Sequence, residues 1–169
     1  AQAAQPPGQQ LPPMSRAAQA RASRALWRGA AVDVACGREH TLVVTAGGGL
    51  YACGAGHGGR LGLGPGGRDA LYAERVRFEC DAVTAAAPAV IVLAAAGEAH
   101  SAAVDARGRL FTWGFGGSGA LGHGVEATRP RGRGLQTTPK LVDALATQGL
   151  RVTAVRVLLN ATGPCMYAA

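Results

Sequence analysis

Short apolar runs punctuated by glycine carry the chain from about residue 30 onward, and their pattern is β throughout. "HTLVVTA" (40–46) and "HSAAVDA" (100–106) read as short strands. "GLYACGAG" (49–56) and "RLFTWGFG" (109–116) read as a second strand each. A tight turn with glycine joins each pair, at 46–49 and at 105–108. Glycine there supplies positive φ at no steric cost. "ALYAERVRF" (70–78) and "PKLVDAL" (139–145) are expected to contribute third strands. "AAVDVACG" (30–37), "AVIVLAAAG" (89–97) and, more weakly, "RVTAVRVLL" (151–159) are expected to contribute fourth ones.

The pattern occurs twice. Residues 32–64 and 92–124 align at an offset of sixty without a gap. Val32, Gly37, His40, Val44, Gly48, Leu50, Gly54, Gly56, Gly59, Leu61, Gly62 and Gly64 each have an identical partner sixty positions on. Four short strands per repeat is the signature of a propeller blade, and alanine-rich strands suit the crowded centre of such a ring. Repetition also decides what the glycines are for. Gly54, Gly56 and Gly59, and again Gly114, Gly116 and Gly119, spell a dinucleotide-type G-x-G-x-x-G. A phosphate loop is needed once per nucleotide, however, whereas a structural turn is needed once per repeat. The segments that follow, "RLGLGPGG" and "ALGHGVEATRP", carry too much glycine and proline to open the helix a phosphate would need.

The motif V-x-x-x-x-G-x-x-H-[ST], followed by G-x-[LV]-[YF]-x-[WC]-G-x-G-x-x-G-x-L-G-x-G, resembles the regulator of chromosome condensation repeat. "GEAHSAAVDARGRLFTWGFGGSGALGHG" lies close to that family's consensus. The first copy departs from it with Cys53 in place of tryptophan and Ala46-Gly47 in place of an Asp-Gly turn. A third copy, "VTAVRVLLNATGPCMYAA", lacks the G-x-x-H. The resemblance implies an all-β fold, a partial β-propeller of four-stranded antiparallel blades cut from a seven-bladed ring. The repeats would span about 31–88 and 89–146, with a degenerate third start at 147–169 and a Pro/Gln/Ala-rich basic tail at 1–30. The opening alanine and the ending "CMYAA" suggest a piece of a longer protein.

Composition narrows the function. The formal charge is +7, carried almost wholly by arginine. That bias could reflect phosphate contacts, and it fits better a GC-rich genome that also enriches alanine and glycine. No apolar run reaches membrane-spanning length. Cys36, Cys53, Cys80 and Cys165 form no C-x-x-C pair. No catalytic constellation, metal site or cofactor site emerges. His40 and His100 hold equivalent repeat positions, which favours a structural tie between strands over a ligand pair. His57 and His123 are expected as exposed loop residues. Trp113 and Phe111 are expected in packing between blades, while Phe115 either caps a blade or faces a partner. Arg129, Arg131 and Arg133 alternate with Pro130, Gly132 and Gly134 in the loop 125–139. This is either a basic finger for RNA, DNA phosphates or an acidic protein surface, or a solvated insertion. The basic segment "RAAQARASRALWRGA" has the Arg-rich, acid-poor character of a mitochondrial presequence, although it follows a proline-rich linker.

The expected function is a non-enzymatic scaffold, a propeller segment that binds protein partners in a larger assembly. The alternative, implied by the resemblance, is guanine nucleotide exchange on a small GTPase; none of that surface maps onto this sequence. Nucleic-acid binding through the arginine loop is a third reading. The expected location is cytoplasmic, ciliary or cytoskeletal settings included, with the nucleus and the mitochondrion as alternatives.

Overall fold

The computed structural model describes residues 29–78, 89–124, 134–158 and 165–168. Two four-stranded antiparallel sheets form, one per repeat. The first contains β1 (Ala31–Cys36), β2 (His40–Thr45), β3 (Leu50–Gly54) and β4 (Ala70–Arg75), in that spatial order. The second contains β5 (Ile91–Ala96), β6 (His100–Asp105), β7 (Leu110–Phe115) and β8 (Leu135–Leu141). A hairpin of β9 (Val155–Leu158) and β10 (Cys165–Ala168) follows. The register repeats with the sequence. His40 faces Gly54 and Val44 faces Leu50; sixty residues on, His100 faces Gly114 and Val104 faces Leu110. Even the irregularity is shared, at Ala31/Asp33 in β1 and at Ile91/Leu93 in β5.

The two hairpin turns have the same frame and different chemistry. Gly48 and Gly108 sit at φ +75° and +78°, as the turn requires. Asp105 braces its turn by accepting from the backbone N–H groups of Arg107 (3.0 Å) and Arg109 (2.9 Å). Thr45 takes that place in the first blade and accepts from Gly49 N–H through its hydroxyl.

Only "PKLVDAL" runs against its expected form. β8 begins earlier, at Leu135, and ends at Leu141, and Asp143–Thr147 form a short helix α1. The Val142 amide still bonds Leu110 O across the sheet edge, but the next free amides, of Leu145 and Ala146, turn back to Val142 O. Among the described residues no further strand lies beyond β8, and alanine and leucine favour the helix.

The sheets stack face to face. Leu42, Val44, Leu50 and Ala52 of the first blade pack on Ala96, Ala103, Phe111 and Trp113 of the second. The opposite face of the second blade buries Ala95, Ala102, Val104 and Leu110 under Val142 and Val152, with Val155 and Val157 beside them. β5 lies against β1 and β2, and β9 lies against β5, so equivalent strands succeed one another around one side. On the remaining sheet face, on the far side of the first blade, Tyr51 is buried and Thr41, Val43 and Cys53 are half-buried, while its β1 positions are exposed. Val32 and Val34 are each 60% exposed there, and Cys36 is exposed as well.

Candidate interaction site at the blade junction

The densest polar chemistry lies where the two blades meet. Arg60 follows the 3-10 turn His57–Gly59, and its carbonyl projects into the junction. Trp113 Nε1–H donates to this oxygen at 2.9 Å and Ser101 Oγ–H donates to it at 2.8 Å. His40 Nε2 lies 2.8 Å from Ser101 Oγ. The serine proton is already given to Arg60 O, so His40 must donate from Nε2, which makes Nδ1 the bare nitrogen. Nδ1 is buried with no partner. Burial, reinforced by the Arg60 charge and His100 nearby, holds the imidazole down at about 4. A neutral His40 therefore ties β2 of one blade to β6 of the next.

A serine touching a histidine invites a hydrolase reading, but this pair cannot act as one. Ser101 has no exposed surface, its proton points to a carbonyl rather than to the imidazole, and nothing orients the histidine from Nδ1.

Glycine makes the junction close-packed. Gly62 has φ +69° and lies flat against the indole; a Cβ there would fall 2.7 Å from Trp113 Nε1. Gly54 and Gly114, the first glycines of the two fingerprints, let β3 and β7 pass against the preceding loops, where a Cβ would meet Glu39 O at 2.4 Å or Ala99 O at 2.5 Å. Both fingerprints run into 3-10 turns rather than helices. These glycines serve backbone approach.

The Arg60 side chain is buried, and it departs from the repeat, which has Ala120 there. Its Nε donates to His57 O at 3.0 Å and its NH1 to Glu39 Oε2 at 2.8 Å. His57, 63% exposed, brings Nε2 within 3.2 Å of the same carboxylate oxygen. Arg38 pairs with Glu98 across the same rim. Arg68 pairs with Glu74 by hydrogen bonds that raise the guanidinium's pKa further. Arg38, Arg60 and Arg68 on this rim thus each have a carboxylate.

The other residues singled out by sequence fall as follows. Trp113 and Phe111 are buried in the inter-blade core. Phe78 meets both rings edge-on, at centroid distances of 5.1 and 6.1 Å. His40 is tied through a side chain of the next blade rather than through backbone, and His100, fully buried, has neither ring nitrogen bonded. His57 is exposed, whereas His123 folds back against Thr112, its Nε2 lying 2.9 Å from Oγ1, and burial lowers its pKa. Phe115 is 42% exposed beside Leu135. Arg129, Arg131 and Arg133, like residues 1–28, lie outside the described residues. Among the described residues no group of three metal-binding side chains forms, and no helix is long and apolar enough to cross a membrane. The Arg60–Glu39 pair and the Ser101 contact escaped sequence reading. The available signal was that Arg60 and Glu39 replace the repeat's Ala120 and Ala99.

Stacked four-stranded blades with equivalent strands in succession define a β-propeller-type repeat protein. The sequence pattern of the regulator of chromosome condensation (RCC1) repeat matches residues 107–157, and a second pattern of the same repeat matches residues 31–60. The RCC2 homolog of Danio rerio is 34% identical over 108 residues, 54% of this chain and 22% of that protein. The human X-linked retinitis pigmentosa GTPase regulator is 41% identical over 88 residues, 52% of this chain and 8% of that protein. The mitochondrial RCC1 domain-containing protein RUG3 of Arabidopsis thaliana is 33% identical over 134 residues, 73% and 26% respectively. The crystal structure of Prp20p from Saccharomyces cerevisiae, described with its binding to Gsp1p and histones, superposes with a TM-score of 0.61 at 22% identity over 76% of this chain and 29% of that one. This chain carries regulator of chromosome condensation repeats, matched over residues 31–60 and 107–157. It spans about a fifth of the length of the RCC2 relative it matches.

Proposed function

We propose that the chain is a scaffold segment of a larger propeller, a non-enzymatic module that holds protein partners. The carrying observation is the exposed apolar strip Val32, Val34 and Cys36 on the far face of the first blade. Val32, Val34, Cys36, Thr41, Val43, Tyr51 and Cys53 correspond, sixty residues on, to Val92, Ala94, Ala96, Ser101, Ala103, Phe111 and Trp113. Most of the second set is buried against a neighbouring blade. The first set belongs to the same kind of face; Tyr51 in it is buried and Thr41, Val43 and Cys53 are half-buried, while Val32, Val34 and Cys36 are exposed, and that exposed apolar strip is a docking surface for a further blade. Rigid stacked blades then present their loops to partners on two rims.

Guanine nucleotide exchange is the second reading, favoured by the relative described as a GTPase regulator. One experiment separates them. The full-length protein is purified with its partners in the presence and absence of EDTA, which strips Mg²⁺ and weakens nucleotide binding by small GTPases. The scaffold reading expects a stable partner set indifferent to EDTA. A GTPase captured only after stripping, whose release of fluorescent GDP the protein accelerates, overturns it in favour of exchange.

A further inference from the structure

The two rims of the stacked blades differ in how their arginines are neutralised. On the rim with the 3-10 turns, Arg38, Arg60 and Arg68 are each paired with a glutamate. On the rim with the β2–β3 and β6–β7 turns, Arg75, Arg77, Arg107 and Arg151 are exposed and make no ion pair among the described residues. Arg75 and Arg77 belong to this rim because Arg75 faces Tyr51 and the Val76 amide bonds Leu50 O, at the turn end of β3. Among the described residues, Asp105 and Asp143 do not compensate. Asp105 is buried and fully used by the Arg109 side chain and two turn amides, and exposed Asp143 stands beyond β8 at the start of α1.

Arg107 and Arg151 are fixed side by side. The Val152 amide bonds Gly108 O at 2.9 Å, and Arg151 Nε donates to Arg107 O at 3.0 Å. Gly108 lies so close that a Cβ would meet Arg151 Cβ at 2.8 Å. The backbone lock itself belongs to the repeat, since the Ile91 amide bonds Gly48 O at 3.0 Å in the same way. The charges do not. Gly47 and Val90 hold those places at the first junction. Two unpaired guanidinium groups on a rigid support, where the fold needs none, are poised for bidentate contact with an anion. Among the described residues this rim has no exposed aromatic ring on which a base could stack: Tyr51 and Phe111 are buried, and Tyr72 and Phe78 are partly covered. Carboxylate is the better match.

We propose that Arg107 and Arg151 dock an acidic segment of a partner protein on the turn rim. This refines the scaffold reading by naming the chemistry of one partner. The test uses the full-length protein and a fluorescein-labelled dodecaglutamate peptide, followed by anisotropy from about 50 to about 300 mM salt. Wild type should bind the peptide, more weakly as salt rises. Arg107→Glu/Arg151→Glu should weaken binding about tenfold or more, since paired charges become repulsive. Arg107→Gln/Arg151→Gln, which keeps side-chain bulk, should fall between. Arg68→Glu on the opposite rim and Arg129→Glu/Arg131→Glu/Arg133→Glu in the loop 125–139 should bind as wild type does. Circular dichroism should be unchanged in every variant. Peptide binding that survives in both Arg107/Arg151 variants overturns the proposal, and so does loss through the Arg129/Arg131/Arg133 variant instead. Full competition by a short DNA duplex with the same arginine dependence reassigns the rim to nucleic acid and overturns it too. If wild type fails to bind the peptide while its EDTA-indifferent partner set persists, this inference alone fails. If that partner set is absent, the scaffold reading fails independently.

Discussion

Acidification should loosen the blade junction through His40. In the folded protein its imidazole is held at about 4, against about 6.5 in an unfolded chain. Between these values the unfolded state binds the extra proton and the folded state resists it. Stability from this group is therefore complete above about pH 6.5 and declines as pH falls toward 4. The whole difference corresponds to about 3 kcal/mol, and about 2 kcal/mol of it is gone by pH 5. The cause is visible in the contacts. A proton on Nδ1 would create a charge with no acceptor, in a buried position that already feels Arg60. His100, also lowered by burial, adds to the same slope. The assay is denaturant unfolding of the full-length protein at pH 7.5, 6.5, 5.5 and 4.5, for wild type and His40→Gln. Glutamine can still donate to Ser101 but does not titrate. The variant should be less stable at pH 7.5 and should lose about 2 kcal/mol less than wild type on going to pH 5. A wild-type midpoint that stays level over this range, or a variant with an undiminished slope, would refute the assignment of a buried neutral His40.

Trp113→Phe keeps most of the buried ring and removes the indole bond to Arg60 O, which retains Ser101; it should cost about 1–2 kcal/mol by thermal or chemical melting, whereas Trp113→Ala should cost about 3–5 kcal/mol. Gly62→Ala should cost at least about 2 kcal/mol, because a positive φ and a Cβ crowding the indole both oppose it; a neutral result in a melt would mean the indole can shift away. Asp105→Asn should cost about 2 kcal/mol and raise amide exchange at Arg107 and Arg109, since one carboxylate holds that turn. Val34→Lys should lower the melting temperature of the full-length protein, because a docked blade would bury it; an unchanged melt would mean this face is free in the whole protein.

Sequence by itself determined the local architecture. Strand pattern, turn positions and the offset of sixty were readable because backbone ladders and glycine turns depend on residues within a few positions of one another, and the observed registers repeat with that offset. Resemblance extended this to the family, and the matched segments agree. The helix at Asp143–Thr147 was not readable, because "PKLVDAL" serves a strand or a helix equally, and the Leu145 and Ala146 amides bond back to Val142 O instead of to a strand. Tertiary structure alone decided the junction. Arg60 lies forty-one residues from Ser101 and fifty-three from Trp113, and only stacking of the blades turns its carbonyl into their shared acceptor. The contrast between paired and unpaired arginines has the same origin. The sequence counts the charges, but an ion pair exists only where the fold brings a carboxylate within reach, as Glu39 is brought to Arg60 and no carboxylate described here is brought to Arg107 or Arg151.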